Sequence, residues 1–450
     1  GDEKMEQQHM FTNRMIRNLL VPVVLEQILN SIMGTADTMM VSNVGSAALS
    51  AVSLVDSINV LLIQAFSALA AGGAIVCAQY IGQKNYERAN MSARQVLFII
   101  TAISVAVSAI CLIFQKPLLR LIFGAVEADV MRASETYFFY TALSFPFIAA
   151  YDSAASIFRA QDNTKGPMLI SMISNVMNIG GNAILIWVFH MGVAGAAIST
   201  LVSRIFCAVV VLYQLRKDRQ PIVVRDYLKI RPDWAMIRRI LGLGIPSGIE
   251  NSMFQLGKLA IQSTVSTLGT AAIAAQAMTN ILENLNGIAA IGVGVGLMTI
   301  VGQCLGAGRK DEAVYYIKKL CVIAEVVIIV SCLTVYALAR PVTILGSMEK
   351  TSAAMCIHMV TWITIVKPLV WTMAFVPGYG LRAAGDVKFS MITSCCTMWA
   401  CRFCLCVFLI RVMGFGPMGV WIGMFADWTI RGIIFTWRFH SRRWLEHKVI

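Results

Sequence analysis

Charged side chains are scarce in this sequence. Asp, Glu, Lys and Arg make up 14% of its 450 residues, 58% of the residues are hydrophobic, and the mean hydropathy is +0.71. Soluble domains carry roughly 25% charged residues, so this shortage excludes an ordinary soluble domain. Residues 166–203 contain no charged residue. A membrane-spanning helix needs roughly 20 apolar residues, so this stretch predicts two spans joined by a turn at Phe189–Gly195. The chain is predicted to be an all-α polytopic membrane protein.

Several functional signatures are also absent. Without a Walker motif, a nucleotide-driven pump is disfavoured. Without a Glu-x-x-His pairing, a Gly-x-Ser nucleophile motif or paired catalytic aspartates, we predict that the protein is not an enzyme. The 12 cysteines lie in apolar stretches without histidines at ligand spacing, so we interpret them as packing residues and expect no cofactor. The polar N-terminus lacks the features of a cleavable signal peptide, and none is expected.

Apolar runs separated by charged breaks predict twelve spans of roughly 20 residues each. The spans are predicted to start near Ile16, Ala48, Ala93, Glu135, Gly166, Val193, Ile240, Ala271, Ile317, Met355, Phe389 and Gly416. Basic residues concentrate in alternate loops, including a cluster at residues 216–239 and the tail at 438–448. Because positive residues stay cytoplasmic, both termini are predicted to lie inside a plasma (inner) membrane. This pattern accounts for the net charge of +13 without nucleic-acid binding.

The second half of the sequence repeats motifs of the first half at one constant offset. Pro22 and Glu26 of VPVVLEQ recur as Pro246 and Glu250 of IPSGIEN. The same offset carries VSNVGSAALSA onto VSTLGTAAIAA, and AQYIGQKNYERA onto GQCLGAGRKDEA. Six spans in each half would give both halves the same orientation, as in parallel repeats related by an axis along the membrane normal. Transporters built in this way bind substrate between their halves and alternate its access to the two sides.

The repeat divides the chain into five predicted segments. They are a cytoplasmic N-terminal segment (1–14), an N-terminal six-helix bundle (15–214), a cytoplasmic linker (215–236), a C-terminal six-helix bundle (237–438) and a cytoplasmic tail (439–450).

Polar residues lie along one face of the first predicted span. Glu26, Asn30 and Asp37, with Met33 or Gly34 between the last two, recur every three or four residues. A charge at the bilayer centre costs about 2.5–3.5 kcal/mol, so an intramembrane carboxylate is a functional candidate. Two interpretations of Asp37 stay open. It is either a structural hydrogen-bond partner of a neighbouring helix or a carboxylate that exchanges a proton or Na⁺ for substrate.

Acids and bases balance in the predicted spans of the second half. They are Glu250, Glu283, Asp427, Lys258, Arg402 and Arg431. Asp427 and Arg431 are four residues apart, which predicts a local helical ion pair. Lys258 could neutralise Glu250 or Glu283. We predict that Asp37 binds the proton or Na⁺ that is exchanged for substrate, while Glu250 and Glu283 shape a substrate cavity. The 25 methionines and the aromatic residues suit a cavity for flat cations, although each also serves as apolar filler.

The sequence resembles the multidrug and toxic compound extrusion (MATE) family. The resemblance rests on the six-plus-six spans, on the proline and carboxylate of the first span with its DTMMVSNVGSAALSAVS motif, and on the paired GQ…A loops. The resemblance covers nearly the whole chain and is closest to the DinF-like branch. It implies a secondary active multidrug efflux antiporter, expected to be a monomer, that exchanges protons or Na⁺ for amphipathic organic cations by alternating access. The alternative is a lipid or lipid-linked glycan flippase of the same superfamily. Such a flippase would require a strongly basic central cavity.

The resemblance also implies roles for single residues. Asp37, Asn178 and Thr200 match the family's cation site. Asn182 stands where the family often has a second Asp, and the lost negative charge favours a proton over Na⁺ at Asp37. No other metal site is predicted. Pro22 matches a proline at which the family's first helix bends.

In the second half, Glu250 matches the seventh-helix acid of NorM-like and eukaryotic MATE transporters. Trp371 lies where some relatives carry an acid on the tenth helix. The predicted ion-coupling set is Asp37, Asn178, Asn182 and Thr200. The predicted substrate-cavity set is Glu26, Asn30, Glu250, Glu283, Lys258 and Trp371.

Overall fold

The computed structural model describes residues 9–124, 126–217 and 219–450, and every regular element among them is helical. This confirms the all-α fold; most of the predicted N-terminal segment, residues 1–14, lies outside the described residues. The helices of the first half are α1 (Asn13–Ser42), α2 (Ser46–Gly82), α3 (Tyr86–Ile113), α4 (Gln115–Phe123), α5 (Ala128–Leu143), α6 (Phe145–Ala160), α7 (Lys165–Asn182) and α8 (Val193–Leu215). Those of the second half are α9 (Trp234–Val265), α10 (Thr270–Gly306), α11 (Lys310–Leu345), α12 (Lys350–Ala383), α13 (Val387–Thr397), α14 (Leu405–Arg411) and α15 (Met418–Ser441).

Shorter elements join or extend these helices. Ala183–Val188 continues α7 as a π-helix, and the π-helix Met398–Cys404 connects α13 to α14. Three short 3₁₀ turns are Tyr227–Lys229, Ser266–Leu268 and Arg443–Glu446.

Ten helices among the described residues are long and apolar enough to cross a membrane. The fourth predicted span is not among them, because it divides at Ser144 into α5 and α6 of 16 residues each. The seventh predicted span, α9, is 32 residues long but carries the charged residues Arg238, Arg239, Glu250 and Lys258. The helices thus have the length and composition of a multi-span membrane protein, and the count of twelve spans stays a prediction.

The helix boundaries follow the repeat. The offset that carries Pro22 onto Pro246 also carries both ends of α2 onto the ends of α10, and the first residue of α3 onto that of α11. Gly45 and Gly269 occupy equivalent positions before α2 and α10, with φ angles of 147° and 97°. Residues with a side chain rarely adopt such angles, so glycine makes the same turn available in each half.

The chain forms two compact units whose boundaries cut through α1 and α9. One unit comprises Gly1–Ile28 and Ser252–Ile450, and is called here the 252–450 unit. The other comprises Leu29–Asn251, and is called the 29–251 unit. Each unit therefore contains the first part of the opposite half's first helix. The two crossing points are equivalent in the repeat to within one residue. The predicted bundles, 15–214 and 237–438, follow the repeat and stay a prediction.

In each unit, the segment of α1 or α9 that comes from the opposite half is called here the exchanged segment. A glycine leaves room for it. A Cβ added to Gly296 would collide with Leu20 Cδ2, inside the 252–450 unit. A Cβ added to Gly72 would lie 2.6 Å from the backbone N of Gly244, inside the 29–251 unit. Gly72 corresponds to Gly296 in the repeat, and Leu20 to Gly244. The same close helix contact thus occurs once in each unit.

Aromatic residues fill both cores. In the 29–251 unit, Phe66 and Phe145 are buried with their ring centroids 6.0 Å apart, edge to face. In the 252–450 unit, Trp421 is fully buried and its indole N–H donates to Gln276 Oε1 at 3.1 Å. Satisfying that donor lets the large ring lie in an apolar core.

Candidate functional site

Polar side chains join α1 to α7 in the 29–251 unit at two levels. At the first level, Asn30 Oδ1 accepts hydrogen bonds from Ser171 Oγ at 2.8 Å and from Asn175 Nδ2 at 2.6 Å. Asn30 comes from the predicted substrate-cavity set, and Ser171 is a partner that the sequence motifs did not indicate. Its position one turn before Asn175 was the available signal.

The second level lies seven residues further along both helices and contains Asp37. Its Oδ1 accepts hydrogen bonds from Asn178 Nδ2 at 3.4 Å and from Asn182 Nδ2. Asn182 is fully buried, and its Oδ1 has no hydrogen-bond donor among the residues that the structure describes. Three of the four residues in the predicted ion-coupling set therefore meet, and one buried acceptor beside the carboxylate is left unsatisfied.

Asn182 is the last α-helical residue before the π-helix of α7. A π-helical turn breaks the regular hydrogen-bond ladder and changes the direction of side chains, and such turns are frequent at functional sites. The carboxylate thus lies against the point where the geometry of α7 changes.

Ser199, rather than the predicted Thr200, joins α8 to this network. Ser199 Oγ donates to the carbonyl oxygen of Asn178 at 2.7 Å and lies 3.1 Å from Asn178 Oδ1. A Cβ added to Gly181 would lie 2.5 Å from Ser199 Oγ, so glycine makes room for this contact. The Thr200 hydroxyl donates to Ala196 O at 3.1 Å, and within the described residues no hydrogen bond joins it to Asp37.

A second carboxylate, Asp56, lies in the same unit. Its Oδ1 accepts a hydrogen bond from the Tyr137 hydroxyl at 3.1 Å. Arg204 interacts electrostatically with Asp37, Asp56 and Asp152. Three acids in this unit thus interact with a single arginine, and Tyr137 is a partner that sequence patterns did not reveal.

In the 252–450 unit, Glu283 pairs with Lys367, a residue that the sequence patterns also missed. Lys367 Nζ lies 2.9 Å from Glu283 Oε1 and also donates to Asn286 Oδ1. A Cβ on Gly287 would lie 2.7 Å from Lys367 Nζ. The proposed neutralising residue, Lys258, interacts with Glu283 only electrostatically, without a recorded ion pair in the described chain.

Asp427 pairs with two arginines. Its carboxylate lies 3.4 Å from Arg431 Nη2 and 2.8 Å from Arg402 Nη2, and all three side chains are buried. The predicted Asp427–Arg431 ion pair is confirmed, and Arg402 is a second base that pairs with the same carboxylate.

The remaining predicted residues are divided between the units. Glu26 and Trp371 are buried in the 252–450 unit, where Lys367 Nζ lies 5.3 Å from the Trp371 ring centroid. Lys258 Nζ lies 4.8 Å from the Phe254 ring centroid in the same unit. Glu250 is buried in the 29–251 unit.

Pro22 lies inside α1, which stays helical through it. Proline has no N–H, so it cannot donate to the carbonyl of Asn18 one turn earlier, and the helix is weakened there. The bend predicted at this position stays a prediction.

Comparison with known proteins identifies the family. The MatE family model matches residues 22–184 and again residues 246–408, so the chain belongs to the MatE family. The second match begins and ends at the positions that the repeat assigns to the ends of the first, which confirms the offset read from the motifs.

Relatives and solved structures agree with this assignment. The chain is 25% identical to the uncharacterized transporter YisQ of Bacillus subtilis over 435 residues, 95% of this chain and 94% of that protein. It is 24% identical to the probable multidrug resistance protein NorM of Thermotoga maritima over 439 residues, 96% and 93% of the two chains. Crystal structures of MATE in the bent and straight conformations match with TM-scores of 0.84 and 0.86 at 19% identity. They cover 95% of this chain and 94% and 95% of theirs. The chain is thus a membrane protein of a family of multidrug efflux transporters rather than of enzymes.

Proposed function

We propose that this protein is a secondary active antiporter of the DinF-like branch that exports amphipathic organic cations in exchange for protons bound at Asp37. The observation that carries the proposal is the buried Asn182 Oδ1, which lacks a donor in the described chain and lies beside a carboxylate held by two asparagine amides. A half-turn of the Asn182 amide would exchange its donor and acceptor. A protonated Asp37 could then donate to Asn182, while an ionised Asp37 accepts from it.

Na⁺ is the second candidate for the coupling ion. Hard cations are held by a shell of several oxygen ligands. Beside Asp37 the amide oxygen of Asn182 is unsatisfied within the described residues, whereas Asn178 Oδ1 already lies near the Ser199 hydroxyl. A site with so few oxygens and one negative charge favours a proton.

The proposed architecture has twelve spans in two parallel six-helix bundles, with both termini cytoplasmic in a plasma (inner) membrane. The protein works as a monomer that alternates the access of a cavity between its halves. Pro22 bends α1 when Asp37 changes protonation, and Thr200 joins the ion site in one state of the cycle. Glu26, Asn30, Glu250, Glu283, Lys258 and Trp371 contribute to the substrate cavity. The exchange of small organic cations needs no cofactor.

A multidrug exporter is preferred over the lipid or glycan flippase for two reasons. The relative NorM carries the name of a probable multidrug resistance protein. In addition, the carboxylates of Glu283 and Asp427 pair with Lys367, Arg402 and Arg431 and offset two of these three positive charges, whereas a lipid-phosphate cavity needs free positive charge.

The test is transport of a fluorescent organic cation in proteoliposomes under imposed pH or Na⁺ gradients. We expect Asp37→Asn to abolish gradient-driven transport while the protein still purifies as a folded species, because an amide cannot release a proton. The matched control is Asp129→Asn, which removes an exposed carboxylate paired with Arg132 in the same unit. Full transport by Asp37→Asn, or transport by the unchanged protein that ignores both gradients, would contradict the proposal.

A further inference from the structure

The segment between α8 and α9 is folded against α3 in the 29–251 unit. Asn90 Oδ1 accepts a hydrogen bond from Val223 N at 2.7 Å. The buried side chain of Gln95 accepts from Asp233 N at 3.0 Å and donates to Arg231 O at 2.8 Å. Residues 223–233 of the predicted linker therefore have a fixed course with an anchor at each end.

Between these anchors the segment also packs against α8. Ile222 and Val224 are buried, and the Tyr227 hydroxyl donates to Leu212 O. Burial raises the pKa of Tyr227 to about 12, so the phenol remains a hydrogen-bond donor across the physiological range. These contacts fix the backbone of the segment from Ile222 to Asp233.

The folded segment and α3 line a half-open cavity of about 910 Å³. Its charged lining consists of four bases and two acids, which are Arg94, Arg225, Lys229, Arg231, Asp226 and Asp233. Asp233 Oδ1 accepts from Met236 N at the start of α9, so this carboxylate is already engaged. The side chains of Arg94 and Arg231 have no recorded hydrogen-bond or ion-pair partner in the described part of the chain. The cavity therefore favours an anion.

The cavity lies at the level where the membrane should begin. Arg94 is the last charged residue before an uncharged run, residues 95–115, that is long enough to cross a bilayer. Trp234 lines the cavity with 67% of its surface exposed, and Leu228, six residues earlier in the chain, is fully exposed. Exposed tryptophan and leucine beside basic residues are typical of the membrane–water interface.

We propose that this cavity binds the headgroup of an anionic phospholipid from the leaflet that the linker faces, which the loop charges predict to be cytoplasmic. Arg94 and Arg231 bind the phosphate. The apolar lining, which includes Met91, Ile230 and Trp234, contacts the adjoining glycerol and upper acyl chains. A free phosphate has no apolar part that could contact this lining at the bilayer boundary. This site is independent of the ion site at Asp37.

The test measures binding of phosphatidylglycerol, phosphatidylcholine, glycerol phosphate and inorganic phosphate to the purified full-length protein in detergent. We expect saturable binding of phosphatidylglycerol in preference to the other three. The double variant Arg94→Gln/Arg231→Gln should bind it more weakly, by about fivefold for each charge removed, since each basic residue near an anionic lipid contributes about 1 kcal/mol. Its thermal unfolding should match that of the unchanged protein, because neither side chain has a recorded partner in the described residues.

The matched control is Lys165→Gln/Lys310→Gln, which removes the same charge from exposed positions outside the cavity. It should bind phosphatidylglycerol as the unchanged protein does. An equal loss in both double variants would show diffuse attraction and overturn the site. Equal competition by inorganic phosphate would assign the cavity to a soluble anion and overturn the lipid proposal, and equal binding of phosphatidylcholine would exclude selectivity for anionic lipid.

Discussion

Asp37 and Asn182 form the contact on which the coupling proposal depends. An unpaired buried amide oxygen costs free energy comparable to a lost hydrogen bond. That cost is removed whenever a donor or a cation arrives at Asn182 Oδ1. On the proposed mechanism Asn182 therefore does more than orient the carboxylate, because its unsatisfied oxygen favours the binding of a hydrogen-bond donor or a cation at this position.

The identity of residue 182 should set the preference for the ion. Asn182→Asp would place a second carboxylate next to Asp37. At an effective dielectric constant of 20, a cation about 4 Å from an added charge gains about 4 kcal/mol before desolvation is counted. We expect Na⁺ gradients to drive transport in this variant, with an apparent Na⁺ affinity at least about tenfold higher than that of the unchanged protein.

The measurement is uptake in proteoliposomes as a function of Na⁺ concentration at fixed pH. Asn175→Asp is the matched control, because it adds the same charge on α7 two turns away, beside Asn30 instead of Asp37. A similar gain of Na⁺ dependence in both variants would mean that the added charge acts without the geometry of the site.

At the scale of single elements, α10 and α12 are joined by the pair of the partly buried Glu283 and the fully buried Lys367. Two neutral side chains could hold these helices together as well, since desolvation offsets much of the attraction in a buried ion pair. Removing one partner is different, because the other charge is then left without compensation.

Lys367→Met should therefore destabilise the protein by about 3–5 kcal/mol, whereas the double variant Lys367→Met/Glu283→Gln should recover part of that loss. Thermal unfolding in detergent measures both. Lys350→Met, at the exposed first residue of α12, is the matched control and should change stability by less than about 0.5 kcal/mol. Additive effects of the two buried substitutions would show that the ion pair has no energetic coupling.

The length and composition of an element can be predicted from its sequence better than its rotation. The apolar runs indicated the helices, because bilayer thickness imposes a length that any sequence window shows. Ser199 and Thr200 are adjacent residues about 100° apart around α8, and only the packing of that helix decides which one reaches Asn178. Lys367 stood as an isolated charge in an apolar run, and its partner lies 84 residues away in the chain.

At the scale of the whole molecule, the internal repeat was readable from three short motifs, but the exchange of helix segments was not. The exchange depends on gaps that Gly72 and Gly296 leave in helices distant in sequence. A sequence motif records that a glycine recurs, without recording which helix fills the space beside it. The repeat therefore predicted two equivalent halves, while the compact units are composed of parts of both.

This composition makes each half dependent on the other for stability. We expect the fragments 1–217 and 218–450 to be unstable when expressed separately, and to co-purify as a stable complex when expressed together. Each fragment alone lacks a helix segment that packs into its glycine-lined gap. Size-exclusion chromatography and thermal unfolding distinguish the cases. If either fragment alone unfolds at the temperature of the complex, the exchanged segments contribute nothing to stability.

The exchanged segment of α1 also has a consequence for synthesis. Val24 lies in α1, and a Cβ on Gly292 would be only 2.9 Å from its Cα, although Gly292 emerges from the ribosome after nearly two thirds of the chain. The segment of α1 around Val24 must therefore stay incompletely packed until α10 has been synthesised and inserted. Contacts so distant in sequence form slowly, and the interval before they form is the period in which the nascent chain is most exposed to quality-control proteases.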